Sequence, residues 1–246
     1  MTVTAKGTSI FQAEEVSAKV LGKLKEAAND KTGSQCVKCI VTVPAYFNDL
    51  QRRATKEACT LAGLQCVHIL NEPTAAALSC GLHIHSQAEA AEKNILIFDF
   101  GGGTLDVSIL RIEAGRFRVL ATSGDCHLGG QDVDNALVEH FRNFYKEEND
   151  EELPATAKTK AKLKVHARTA KEQLTAAHTA TVYDDSIAPE KEYSEELTRF
   201  KFEEICRPIF ERIFPPLDEA LKDAKLEKEA IDDVILVGGS TRIPQV

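Results

Sequence analysis

Three consecutive glycines, placed just after a short apolar run, constrain this chain more than any other feature. Residues 95–98 are apolar, as in a strand that fills the interior of a sheet, and Gly101, Gly102 and Gly103 follow two residues later. An alternating pattern then begins, carried by Leu105, Val107, Ile109 and Arg111. The glycines are therefore predicted to form a turn that joins strand to strand. A dinucleotide-binding G-x-G-x-x-G must open a helix and a P-loop needs G-x-x-x-x-G-K-[ST], so neither pattern fits.

The chemistry of this turn favours a phosphate site. Glycines permit positive φ values and carry no β-carbon, so successive N–H groups can converge on an anion, and Thr104 adds a hydroxyl at the same rim. A carboxylate beside a phosphate is repelled unless a cation or a polarised water lies between them, so Asp99 is expected to face Mg²⁺ or an attacking water. The alternative is a glycine-rich hairpin in which Asp99 only caps the turn.

Composition restricts the class of protein. The chain has 246 residues and is 43% hydrophobic, enough to bury a core in one large or two modest domains. Its 38 acidic and 30 basic residues give a net charge of −8, which argues against a nucleic-acid-binding protein. No apolar run reaches the roughly 18 residues of a membrane span, and the first residues lack the pattern of a signal peptide.

Seven cysteines without framework spacing favour a reducing compartment, which we expect to be the cytoplasm. Cys36 and Cys39 form the one pair that resembles a motif. Residues three apart on a strand point to opposite faces, so a shared metal or a redox pair is not expected there. No histidine has a ligand partner at metal spacing, and His83, His85 and His127 are interpreted as solvated or packed.

The first group of predicted elements follows the order helix, strand, helix, strand, helix. A helix over 14–28 carries Val16, Val20, Leu24 and Ala27 on one face, and residues 29–33 break it. A strand over 36–43 closes at Pro44, a helix capped by Asn48 runs to residue 63, and a strand over 64–70 precedes a short helix over 73–81. This β-α-β-α order predicts a parallel sheet with helical crossovers.

The second group begins after a polar loop at 82–93. Strands are predicted over 95–100, 105–112 and 117–123, and a hairpin turn at 113–115 joins the last two. Further predicted elements are helices over 132–145 and 158–164, polar strands over 179–183 and 192–197, a helical region interrupted at Pro215 and Pro216, and an apolar strand over 234–237. Three meandering strands followed by helices and further strands are typical of a mixed sheet of the ribonuclease-H type.

Five motifs in this order resemble the ATPase domain of the 70-kDa heat-shock chaperone family. They are VTVPAYFND at 41–49, NEPTAAA at 71–77, FDFGGGT at 98–104, HLGG at 127–130 and LVGGSTRIP at 236–244. A sugar kinase of the same actin-like clan would share the glycine turn but not the second and fifth motifs. The resemblance implies an α/β, actin-like (ribonuclease-H-like) ATPase that binds ATP or ADP with Mg²⁺. Residues 1–90 would be the C-terminal part of lobe I, and residues 91–246 most of lobe II.

The resemblance also implies roles for individual residues. Asp99, Thr104 and Glu72 would be catalytic, and Asp99 and Glu72 would lie near the Mg²⁺, through water. Pro44 and Arg52 would relay the nucleotide state between domains, although taken alone they would be a strand terminator and a solvated helix residue. The residues implied to contact nucleotide are Gly101, Gly102, Gly103, Thr104, Gly129, Gly130, Arg168, Lys171, Glu172, Thr175, Gly238, Gly239, Ser240 and Arg242.

Two positions depart from the family pattern. Glu172 stands where a second stacking arginine is expected, and a carboxylate neither donates to adenine nor stacks on it as guanidinium does. We therefore expect weaker adenine affinity than is typical of the family. Gln131 replaces an acidic residue after Gly129 and Gly130, which is a milder change.

The resemblance starts inside the family's ATPase domain and stops before its end. The other phosphate loop, the lysine used in hydrolysis, the last helices of lobe II and the peptide-binding domain have no counterpart here. We expect impaired hydrolysis, and unpaired edges and apolar faces that make the chain unstable, aggregation-prone or dependent on a partner.

Two hypotheses about function follow. The chain is either an ATP-hydrolysing segment of a chaperone that acts in protein folding and the stress response, or a shortened, non-catalytic paralogue that binds nucleotide or co-chaperones. The resemblance implies J-domain co-chaperones and nucleotide exchange factors as partners. Unfolded polypeptide would be bound only through the absent peptide-binding domain, and neither nucleic acid nor membrane is expected as a partner.

Overall fold

The computed structural model describes residues 2–4, 8–81, 92–188 and 191–246, and the chain divides into two compact units. The units are Met1–Ala88 and Glu89–Val246. The predicted loop at 82–93, with His83 and His85, falls outside the described residues except for its last two positions. The assignment of the two units to lobes of an actin-like ATPase stays a prediction.

The first unit contains a small parallel sheet with helical connections. Its elements are β1 (Thr2–Thr4), β2 (Thr8–Ile10), α1 (Ala13–Thr32), β3 (Lys38–Val43), α2 (Asp49–Leu61), β4 (Gln65–Asn71) and α3 (Glu72–Ser79). β3 pairs with β4 in parallel, as the β-α-β-α order predicted, and β1 pairs with β2 antiparallel. Asn48 caps α2 as expected: its side chain accepts from the Gln51 N–H at 3.0 Å, and its own N–H donates to the Gln51 side chain at 2.9 Å.

Two expectations for α1 are wrong. The helix does not break at residue 29 but continues to Thr32, because Gly33 adopts φ +64 and its N–H closes the last turn on the Asn29 carbonyl. The face of Val16, Val20, Leu24 and Ala27 is also not the buried one, since Val20 and Leu24 are 60% and 61% exposed and Ala18 is the buried residue.

The second unit is built on a four-stranded mixed sheet. Its strands are β5 (Lys93–Phe100), β6 (Leu105–Glu113), β7 (Arg116–Asp125) and β10 (Asp233–Val237), in the order β10-β5-β6-β7. β5, β6 and β7 run antiparallel to one another, and β10 joins β5 in parallel, which confirms the predicted mixed sheet. The predicted hairpin at 113–115 is also confirmed: Ala114 and Gly115 have φ values of 47 and 74, as a tight primed turn requires.

Helices and a separate hairpin complete the second unit. They are α4 (Gly130–Asn149), α5 (Ala157–Gln173), β8 (Thr179–Ala188), β9 (Lys191–Thr198), α6 (Arg199–Glu211) and α7 (Phe214–Ala224), with 3₁₀ turns at Lys228–Ala230 and Gly239–Arg242. One hydrophobic cluster joins β5 and β6 to α4, α5, α6 and the β8–β9 hairpin. β6 is buried on both faces, because Ser108 and Leu110 are covered as well as the predicted Leu105, Val107 and Ile109. The sheet therefore holds the turn between β5 and β6 on a rigid support.

Candidate functional site

The glycine turn joins β5 to β6, as the sequence predicted. Gly101 donates its N–H to the Thr104 carbonyl at 3.0 Å, which closes the turn. None of the three glycines uses the positive φ that glycine permits. A β-carbon on Gly102 or Gly103 would meet nothing within 4 Å. The glycines instead leave an exposed stretch of backbone clear of side-chain atoms.

The amide hydrogens of this turn are available to a ligand. The N–H groups of Gly102, Gly103 and Thr104 have no acceptor among the residues that the structure describes. The carbonyl groups, by contrast, anchor the turn: Gly101 accepts from the Gly130 N–H at 3.0 Å and from Ser240 Oγ at 2.8 Å, and Gly102 accepts from the Gln131 N–H at 2.8 Å. Such a turn can offer several donors to an anion without rearrangement.

Glycine segments from distant parts of the chain pack directly on this turn. A β-carbon at Gly129 would lie 2.5 Å from backbone atoms of Gly102 and Gly103, and one at Gly130 would lie 2.5 Å from Ser240 Oγ. At Gly238, which has φ +89, a β-carbon would lie 2.2 Å from the Phe100 carbonyl oxygen and 3.0 Å from Asp99 Oδ1. Close backbone approach therefore requires glycine at Gly129 and Gly238, whereas at Gly130 the close neighbour is a side chain.

Asp99 lies at the end of β5, directly opposite Asp106 of β6. Burial, and then the negative charge of Asp106, raise the pKa of the Asp99 carboxyl above its ordinary value. In the described part of the chain no basic side chain forms an ion pair with Asp99. Two facing carboxylates at the same end of two paired strands suit a hard cation such as Mg²⁺, which takes oxygen ligands.

An ion pair and a hydrogen bond hold the Lys171 side chain in place. Its Nζ lies 2.6 Å from Asp134 Oδ1 and donates to the Gly130 carbonyl at 3.1 Å, and both charged side chains are largely buried. Lys171 thereby connects α5 to the first turn of α4, next to the glycine turn.

The other residues predicted on α5 share its face with Lys171. Arg168 and Glu172 are exposed on this helical face, and Thr175 is half-buried in the turn that follows the end of α5 at Gln173. Gly239 and Arg242 are exposed in the 3₁₀ turn after β10. Among the described residues, no hydrogen bond or ion pair joins Arg168, Glu172 or Arg242 to the glycine turn.

The predicted residues of the first unit form a hydrogen-bonded group of their own. Arg52 is half-buried and donates to the Phe47 carbonyl at 3.0 Å, the Ala45 carbonyl at 3.2 Å and Asn71 Oδ1 at 2.9 Å. It thus links the loop after Pro44 to the residue that precedes Glu72, the first residue of α3. The interpretation of Arg52 as a solvated surface residue is wrong. Glu72 is half-buried.

Sequence reasoning missed two acidic residues of the second unit. The register of the β5–β6 hairpin, in which Phe100 pairs with Leu105, places Asp106 opposite Asp99, so counting outward from the glycine turn could have found it. Asp134 carried no signal, because its importance comes from burial beside Lys171.

The fold and the site define an α/β protein with anion donors and paired carboxylates at one end of a mixed sheet. A family model described as Hsp70 protein matches residues 1–246, and the chain therefore belongs to the Hsp70 family. The ATPase domains of this family are ATP-binding parts of chaperones and have the actin-like fold, with which the mixed α/β structure is consistent. None of the helices in the described ranges is both long and apolar enough to cross a membrane.

Proposed function

We propose that this chain is an ATP-binding and ATP-hydrolysing segment of an Hsp70-type chaperone, with the β- and γ-phosphates held at the glycine turn. The observation that carries the proposal is the set of unused amides at Gly102, Gly103 and Thr104, next to the Asp99–Asp106 pair. The amides suit phosphate oxygens, and the carboxylates suit the cation that accompanies them. The residues present thus fit a magnesium-bound nucleotide.

Each residue of the site has a separate task in this proposal. Gly102, Gly103 and Thr104 bind phosphate oxygens through backbone N–H groups and the threonine hydroxyl. Asp99 accepts a hydrogen bond from the attacking water and orients it, or binds a water of the cation. Mg²⁺, when bound, neutralises charge on the phosphate oxygens. For Glu72 of the first unit, the proposed catalytic and metal-binding role rests on the family resemblance alone.

Packing against the turn supports the proposed positioning. Gly130 lies close to both Ser240 and Lys171, and Gly130 and Ser240 each donate a hydrogen bond to the Gly101 carbonyl. The phosphate turn is therefore held by α4 and the 3₁₀ turn after β10, and α5 is tied to α4 through Lys171. Gly129 and Gly238 permit the close approach. We propose that Arg168 and Glu172 on α5 and Thr175 just after it, with Gly239 and Arg242, flank the adenosine.

The wider setting is also proposed from the family. Residues 1–90 and 91–246 would be parts of lobe I and lobe II of an actin-like ATPase, in which Pro44 and Arg52 relay the nucleotide state to a peptide-binding domain. The three hydrogen bonds of Arg52 support that relay, because they connect the Pro44 loop to Asn71. J-domain co-chaperones and nucleotide exchange factors are the proposed partners, and a reducing compartment such as the cytoplasm is the proposed location.

Replacing Gly103 by alanine is expected to lower ADP and ATP affinity at least about tenfold without destabilising the protein. The new methyl group would meet no protein atom within 4 Å, so the free energy of unfolding should change by less than about 0.5 kcal/mol. The same methyl group would occupy the volume where phosphate is proposed to bind. Isothermal titration calorimetry and urea unfolding measure the two quantities. Gly22→Ala is the control, since it also adds a methyl group in open space. Unchanged affinity in Gly103→Ala would contradict the phosphate assignment.

Replacing Asp99 by asparagine is expected to reduce ATP turnover at least about a hundredfold. The same variant should be more stable than the wild-type protein at neutral pH without Mg²⁺. Because the pKa of Asp99 is raised in the folded protein, its ionised carboxylate destabilises the fold. The free energy of unfolding of the wild type should therefore decrease above about pH 4, where the Asp99 carboxyl of the unfolded chain ionises. It should level off once the pH exceeds the pKa of Asp99 in the folded protein. Phosphate-release assays and urea unfolding between pH 4 and 8 test both effects.

The control for Asp99→Asn is Glu148→Gln, a neutralising change at an exposed position of α4. If the wild-type chain shows no turnover but still binds a nucleotide exchange factor, the non-catalytic interaction module is the correct function. Equal turnover of wild type and Asp99→Asn would remove Asp99 from the mechanism.

Replacing Glu172 by arginine is expected to raise ADP affinity by roughly two- to fivefold, the effect of one exposed stacking guanidinium. Glu172 is exposed, so the substitution should leave the unfolding midpoint unchanged. Calorimetric titration with ADP measures the difference, and Glu148→Arg controls for the change in net charge. Equal affinities of wild type and Glu172→Arg would refute the adenine-flanking role.

A further inference from the structure

Three cysteines of the first unit come together where α2 packs beside the parallel pair β3–β4. Cys39 of β3 and Cys66 of β4 are direct partners in the strand register, and Cys59 of α2 is completely buried. Their Sγ atoms all lie within 4.8 Å of one another, and all three are free thiols. No other group of three metal-binding side chains at such distances occurs in the described ranges.

The cluster is not the Cys36–Cys39 pair that the sequence suggested. The Cys36 thiol instead contacts the Ser34 carbonyl and the Thr32 hydroxyl at the end of α1. Cys39 finds its partners on two other elements, 20 and 27 residues further along the chain. The strand register and the packing of α2, rather than sequence spacing, assemble the three thiols.

The spacing of the sulfur atoms fits metal coordination. With bonds of about 2.3 Å, three thiolates on one ion stand about 3.8 to 4.0 Å apart. The observed limit of 4.8 Å therefore requires a contraction of about 1 Å or less for each pair. A disulfide would use only two of the three sulfur atoms.

We propose that Cys39, Cys59 and Cys66 bind one thiophilic d¹⁰ cation, Zn²⁺ or Cu⁺. Thiolate ligands select these ions. Each of the three thiols would release its proton to solvent as its sulfur bonds the ion, giving a three-thiolate complex. Three thiolates complete a trigonal Cu⁺ site, and on Zn²⁺ they leave one position for water.

The surroundings of the thiols agree with this site. Burial, together with the neighbouring Cys39 and Cys66, raises the pKa of the Cys59 thiol to about 12, and burial is also the main cause that raises the pKa of Cys39. The raised pKa values of Cys39 and Cys59 favour their neutral thiol forms without a metal, and a cation is what would stabilise thiolates at this place. Cys66 Sγ contacts the His68 carbonyl at 3.2 Å, which orients it on its strand.

Occupation of the site would strengthen the first unit. One ion would join β3, β4 and α2, and the two strands lead directly into Pro44 and into Glu72. A ligand that binds only the folded state raises stability in proportion to its affinity and concentration. The cation would therefore hold together the unit that carries the proposed relay residues.

The test uses the reduced, metal-free 246-residue chain. Zn²⁺ is titrated in competition with a chromophoric zinc chelator, and Cu⁺ under anaerobic conditions in competition with a Cu⁺-specific chelator. One equivalent of one of these ions should bind, and Cys39→Ser and Cys66→Ser should each weaken binding at least about a hundredfold. Cys36→Ser and Cys80→Ser are the controls and should bind as the wild type does, because neither belongs to the cluster.

Two results would overturn the proposal: no stoichiometric binding of either ion, or binding that is lost in Cys36→Ser or Cys80→Ser but not in Cys39→Ser and Cys66→Ser. Circular dichroism of each variant checks its folding. A Co²⁺ spectrum of the wild-type chain supplies a readout that needs no variant, because its charge-transfer intensity reports the number of thiolates bound. Three thiolates are expected, and two or fewer would contradict the site.

Discussion

Replacing Gly238 by alanine is expected to destabilise the Glu89–Val246 unit by about 3 kcal/mol or more. Gly238 has φ +89, which an L-residue with a side chain rarely adopts, and the new β-carbon would lie 2.2 Å from the Phe100 carbonyl oxygen. Neither the strain nor the clash can relax through a flexible side chain, because the contacting group is backbone. Urea unfolding followed by circular dichroism measures the loss.

The neighbouring residue supplies the control for this change. A β-carbon at Gly239 would meet nothing within 4 Å, and its φ is not positive, so Gly239→Ala should change stability by less than about 0.5 kcal/mol. Similar unfolding midpoints for the two variants would show that the backbone does not pass as closely over β5 as described. Gly238→Ala should also weaken nucleotide binding, since Asp99 Oδ1 lies 3.0 Å from the added carbon.

Replacing Lys171 by methionine is expected to cost about 3 to 5 kcal/mol of stability, the range found when one partner of a buried ion pair is removed. Asp134 is 7% exposed and would be left without its cation in the interior between α4 and α5. The loss should show as a lower urea midpoint of the second unit.

An ion pair on the surface is the control that separates the effect of burial from the effect of losing a charge. Lys146 forms an ion pair with Glu152 at 2.9 Å, but the two side chains are 59% and 71% exposed, so Lys146→Met should cost less than about 0.5 kcal/mol. The double variant Lys171→Met with Asp134→Leu should recover most of the stability lost in Lys171→Met, because no unpaired charge stays buried. Equal losses for the Lys171 and Lys146 variants would contradict this account.

Exposed apolar side chains bear on the expectation of partner dependence. In the first unit Val20, Leu24, Ile40 and Val67 are each more than half exposed, and in the second unit Val234 and Leu236 of β10 are as well. β10 has a hydrogen-bonded neighbour only in β5 within the described sheet. Surfaces of this kind are typical of faces that pack against further protein. Association or aggregation at high concentration stays a prediction, which sedimentation measurements can test.

Local elements were predictable because their causes are local. Asn48 with Gln51 specifies a capping box, Ala114 and Gly115 form a tight turn, and the alternation after Thr104 specifies a strand. The end of α1 was misplaced because a polar stretch only lowers helix propensity, whereas Gly33 supplies the left-handed residue that ends the helix. The roles of Gly129 and Gly130 came from motif resemblance, and their physical cause, a backbone contact with the glycine turn, appears only in the fold.

The sequence by itself determined the glycine turn between two antiparallel strands, the acidic residue before it and the family to which the chain belongs, because these depend on residue types at short spacing. Only the tertiary structure decided that the turn's carbonyls are anchored and its amides are left for a ligand. It also decided that Asp106 faces Asp99, that Lys171 neutralises a buried Asp134, and that three cysteines on three elements meet. These features are long-range contacts, and the packing of separate elements creates them.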